Sequence, residues 1–123
     1  MKRWTQILIL VMFVTLFAAC DGGVSDGIAL PPIDTKPVPD EDLKYSIVTD
    51  EVFRPACYEC HSRATGVTEG NIGVDSLVEV RLNIPAIYDS TILERNMPPA
   101  HKPTLTERQL SLLKQWLEAG APE

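Results

Sequence analysis

Read from its N-terminus, the chain alternates stretches with and without apolar periodicity. Ile7 to Phe17 is apolar except for Thr15, follows Lys2 and Arg3, and gives way through Ala18 and Ala19 to Cys20 and Asp21. A membrane-spanning helix needs about 20 apolar residues, so this run is too short to span. A basic head, a short apolar core and a small-residue exit predict an export signal over residues 1–19. Residues 20–39 carry no periodicity. Glycines come first, then Pro31, Pro32, Pro37 and Pro39, a composition that predicts a flexible linker.

Helical periodicity begins at Asp40, so a single domain is expected over residues 40–123. Asp40 is placed to cap a first helix, with Glu41 and Asp42 in its first turn. Tyr45, Val48, Val52 and Phe53 fall near one face. Pro55 disfavours helical geometry at Arg54, so the helix is expected to end about there. "ATGVTEGNIG" reads as loop, and "VDSLVEVRL" as a short helix capped by Asp75. "IPAIYDSTILERN" reads as another helix, opened by Pro85, with Ile87, Ile92 and Leu93 inward. "MPPAHKP" is too proline-rich for regular helix. The last element has the strongest signals. Thr106 caps it, Gln109 answers three residues later, and Leu110, Leu113, Trp116 and Leu117 form an apolar stripe before Gly120 and Pro122. The expected class is all-α, with three to five short helices.

Charge narrows the function. The chain holds 11 basic and 17 acidic residues, a net −6. Loss of residues 1–19 would remove two basic residues and no acidic one, leaving −8. That balance argues against nucleic-acid binding and against a polybasic membrane patch, and it favours basic partners. No nucleophile, base and orienting acid form a hydrolase arrangement.

The chemistry is concentrated in "ACYECHS", Ala56 to Ser62. Cys57 and Cys60 stand three apart and His61 follows at once, the C-x-x-C-H pattern of c-type haem attachment. Cysteines one helical turn apart reach two vinyl groups on one edge of the ring, and the adjacent histidine reaches the iron. Other readings compete. Cys57, Cys60, His61 and His101 have the ligand types of a tetrahedral zinc site. The two cysteines also suit a redox or structural disulfide in an exported chain, although a redox C-x-x-C usually sits near a βαβ pattern, which is missing here. For a haem iron, Met97 in "NMPPAH", 36 residues after His61, is the expected second ligand. His101 is its rival, and an open, five-coordinate iron is the third possibility. Glu59, between the cysteines, reads as a solvated side chain.

Two resemblances extend this. "LFAAC", Leu16 to Cys20, resembles the lipobox of bacterial lipoproteins, which implies cleavage before Cys20 and lipid on Cys20. Such a lipid would hold the domain on a membrane surface facing the periplasm or the outside. From Tyr45 to Pro122, Phe53, "CYECH", "MPP" and a final helix carrying Trp116 before "AGAP" resemble the class I cytochrome c family. The resemblance implies one covalent haem c held by Cys57 and Cys60, ligands His61 and Met97, and single-electron exchange with a redox protein partner rather than catalysis. It also implies that the first and last helices cross near Phe53 and Trp116, where the family often has glycine and this chain has Thr49. The alternatives carried forward are an open-site haem peroxidase or ligand sensor, and a zinc-stabilised binding module. Haem would supply much of the core of so small a domain.

Overall fold

A computed structural model describes residues 30–33 and 36–123. The expected signal segment and Cys20 lie outside the described residues, as does most of the expected linker. Residues 32–123 pack as one unit. It is a small, mostly helical domain of about five helices with no sheet. No described helix is long and apolar enough to cross a membrane.

After a 3₁₀ turn at Asp40–Asp42, helix α1 runs Tyr45–Val48, widens to π geometry over Thr49–Phe53, and closes with Arg54–Ala56. α2 is Tyr58–His61, α3 is Leu77–Leu82, and α4 is Ile84–Tyr88 with a π continuation at Asp89–Leu93. α5 is Glu107–Glu118.

The expected stripes form the core. Val48, Val52 and Phe53 from α1 meet Leu113, Trp116 and Leu117 from α5, all at most 2 % exposed. Leu112, not part of the expected stripe, is also fully buried. Phe53 sets its edge to Trp116 at 5.8 Å, and Tyr45 stacks on Trp116 at 6.1 Å. Aromatic pairs in these geometries add to their area burial. Thr49 is buried on the same stretch of α1, and its hydroxyl has no hydrogen-bond partner.

α5 ends and begins as its sequence predicts. Thr106 Oγ1 accepts from Gln109 N, and Gln109 Oε1 accepts from Thr106 N at 2.9 Å, a complete capping box. Gly120 sits at φ +82°, a backbone state that glycine adopts without a Cβ penalty. The tail then folds back, and Trp116 Nε1 donates to Pro122 O at 3.0 Å.

Elsewhere the structure departs from the sequence reading. Asp40 does not cap α1; Lys44 occupies that position, with no side-chain cap. Helical backbone also passes through Arg54 and Pro55. A helical proline leaves the carbonyl four residues earlier without its donor. Here that carbonyl, Glu51 O, accepts from Gln109 Nε2 at 2.7 Å, so α5 supplies the missing bond. Ser76, not Asp75, caps α3. Leu93 is 59 % exposed rather than inward, while Ile87 and Ile92 are buried as expected. Within the span read as linker, Val38 N donates to Gln115 Oε1 and Lys36 O accepts from Ser111 Oγ. The packed unit therefore takes in Lys36 to Val38 as well.

Candidate functional site

The C-x-x-C-H residues sit where α1 breaks. Cys57 leaves helical geometry at φ −120°, and α2 starts on the next residue. The break is short because Cys57 N still bonds Phe53 O at 2.8 Å and His61 N bonds Cys57 O at 2.9 Å. Both thiols are half-buried and neither is in a disulfide. Burial pushes the Cys57 thiol up to about 12, with Cys60 adding to the shift. A thiol so raised is protonated at neutral pH, unlike the low-pKa cysteine of a dithiol redox enzyme.

His61 is fixed by its surroundings. Its Nδ1 lies 3.2 Å from Ile72 O. A carbonyl only accepts, so Nδ1 carries the proton in this bond and Nε2 of the neutral ring keeps its lone pair free. A backbone carbonyl behind the other ring nitrogen is the usual way a ligating histidine is oriented. The backbone around it is tied too: Val74 N donates to His61 O at 2.8 Å, and Tyr45 Oη donates to Val74 O at 3.0 Å. Two antiparallel bridges, His61 with Thr68 and Ser62 with Val67, close the loop between. Asp75 completes the brace. Its Oδ2 accepts from the buried Ser62 hydroxyl at 2.8 Å and from Ala64 N at 3.0 Å. These bonds hold the Asp75 carboxyl below its ordinary value, the Ala64 amide contributing most.

A cavity of about 350 Å³ opens beside this motif. Cys57, Cys60 and His61 line it, and so does Met97. Its apolar wall comes from Phe53, Ile72, Val74, Ile87, Leu105 and Leu113. Pro98, Pro99 and Lys102 follow Met97 along the rim, and Lys102 Nζ pairs with Glu59 Oε1 at 2.5 Å. The volume is within the range of small-molecule and cofactor pockets, roughly 300–1,000 Å³. The walls of this apolar chamber thus carry two thiols, an oriented imidazole and a thioether, donor types that suit a metallocofactor.

The structure thus brings four sequence-predicted residues to one cavity and leaves His101 out. His101 is exposed and does not line the cavity. Among the described residues, no three or more His, Cys, Asp or Glu side chains are grouped as they would be to hold a metal ion. Glu59 is 74 % exposed, as a solvated side chain would be, and it also pairs with Lys102. The sequence reading also missed Ile72, whose contribution is a backbone carbonyl and leaves no side-chain signal, and Asp75, whose acceptor role was masked by its position next to a helix start.

Comparison of the chain with protein-family models, curated proteins and solved structures returned no significant match in any of the three.

Proposed function

We propose that this protein is a monohaem c-type cytochrome that carries single electrons between redox proteins. The observation that carries the reading is the meeting of Cys57, Cys60, His61 and Met97 on one apolar cavity, with His61 oriented by Ile72 O. On this reading Cys57 and Cys60 hold the haem through thioethers, and His61 and Met97 are its iron ligands. When bound, the haem supplies reversible one-electron chemistry at iron.

The chain's own residues do the rest. The Ile72 carbonyl keeps the His61 ring in one tautomer and orientation. Phe53, Ile87, Leu105 and Leu113 exclude water from the chamber and keep it apolar. His61 and Met97 would together fill the side-chain ligand positions of such an iron and leave none for a substrate, which favours a carrier over an enzyme. The wider architecture is then a small cytochrome c-like fold. Its acidic balance suits a partner with a basic face. Cys20 carries the lipid that keeps the domain at a bacterial membrane, facing the periplasm or the outside.

Purified holoprotein tests the reading by visible spectroscopy in both redox states, together with a haem-stained denaturing gel. A Soret band, sharp reduced-state bands and stain retained after denaturation are expected. A colourless protein containing zinc, or ferric spectra that change promptly with peroxide or cyanide, would replace it with one of the alternatives.

A further inference from the structure

The loop that carries Met97 is held to the rest of the domain at few points. Asn96 N and Met97 N both donate to Ser90 O, at 3.0 and 3.2 Å, and anchor its start. Leu105 is buried and anchors its end. Between them, residues 98–105 make one polar contact outside their own segment among the described residues, Lys102 Nζ to Glu59 Oε1. Glu59 is one of the two residues between the cysteines, so this contact ties the methionine loop directly to the C-x-x-C-H turn. Lys102 is braced for it: its own N–H donates to Pro99 O at 2.8 Å, and its side chain is only 29 % exposed.

We propose that the Glu59–Lys102 ion pair is a clasp that holds the Met97 loop against the C-x-x-C-H turn and sets how readily an outside ligand displaces the methionine. Glu59 and Lys102 are positioning residues, acting through the loop and touching no reacting atom. The second half of the proposal rests on the cytochrome reading; the first half, the clasp itself, does not. Ion pairs with an exposed partner are individually weak, so the clasp tunes the loop and does not lock it.

The test uses holoprotein carrying Glu59→Lys, Lys102→Glu, or both together. Amide hydrogen exchange is followed at Met97 and Lys102, and cyanide binding to the ferric protein is timed alongside. Each single reversal should speed both processes about threefold, in keeping with the modest strength of such pairs. The double swap should restore the wild-type rates, because it re-forms the pair with its ends exchanged. In 1 M salt, where the screening length falls to about 3 Å, the wild type should move toward the single variants. Unchanged exchange at both amides in the single variants, or no recovery in the double swap, would overturn the clasp. Failure of the cytochrome reading appears separately, as wild-type protein without a haem spectrum, and the exchange measurement decides the clasp in that case too.

Discussion

The two sides of the cavity are built differently. On the histidine side, residues 61–64 are tied to 72–75 by His61 Nδ1 to Ile72 O, Val74 N to His61 O, and two bonds to Asp75, with Ser62 fully buried. On the methionine side, the loop is pinned at Ser90 O and Leu105 and otherwise held by the Glu59–Lys102 pair, and Met97 itself is 37 % exposed. His61 is thus over-determined by its neighbours, and Met97 rests on a lightly held segment. Backbone and side-chain closure of one loop places His61, whereas Met97 is placed by Ser90 O and by a pair that spans 43 residues, Glu59 with Lys102. On the cytochrome reading, the rigid side would preserve cofactor geometry and the looser side would make Met97 the adjustable ligand.

On the cytochrome reading, the largest effect should come from removing the haem. Cys57→Ser with Cys60→Ser deletes both attachment points. Apolar burial stabilises by about 25 cal/mol per Å², so losing several hundred Å² of porphyrin contact removes several kcal/mol. The variant should be colourless and rapidly digested by protease; a colourless product as resistant as the wild type would show that the helices hold the cavity alone.

Next comes the histidine side. Asp75→Ala strands the buried Ser62 hydroxyl, which costs about 1–3 kcal/mol of unfolding free energy in denaturant titration. Met97→Ala should leave the thermal midpoint closer to wild type than Asp75→Ala does, while abolishing the sulfur-to-iron charge-transfer band of the ferric protein. A larger stability loss from Met97→Ala than from Asp75→Ala would reverse the asymmetry.

The smallest effect is in pH. Asp75 has a depressed folded value, so its stabilising contribution is complete above the ordinary carboxylate value of about 4 and is lost as pH falls through the folded value. Asp75→Asn should therefore flatten part of the acid limb of the stability curve and leave the neutral-to-alkaline limb unchanged.

Much of this was readable in the sequence where local rules decide. Thr106 and Gln109 stand at capping-box spacing, Leu113, Trp116 and Leu117 at helical spacing, and both signals act within one element. The motif Cys57, Cys60 and His61 is similarly local. The misreadings have non-local causes. Pro55 predicts a helix end about Arg54, and α1 runs two residues further, to Ala56, with the Glu51 carbonyl that a helical proline leaves without a donor bonded by Gln109, 58 residues away in sequence. Asp75 looked like a cap because it precedes α3, yet its carboxylate is drawn to Ser62 and Ala64 across a loop. Leu93 has the right composition for the core, but α4 widens into π geometry over Asp89–Leu93 and leaves it outside. Met97 could be singled out as the methionine of the domain, but its convergence with the cysteines is a property of the fold.

The central claim is that Cys57 and Cys60 carry a haem in covalent linkage. Its most direct test is mass spectrometry of the proteolytic fragment containing both cysteines, from protein made in a host that matures c-type cytochromes. The account predicts a fragment heavier by one haem, with no free thiol to alkylate. A fragment of bare peptide mass, its thiols free or joined to each other, would contradict it.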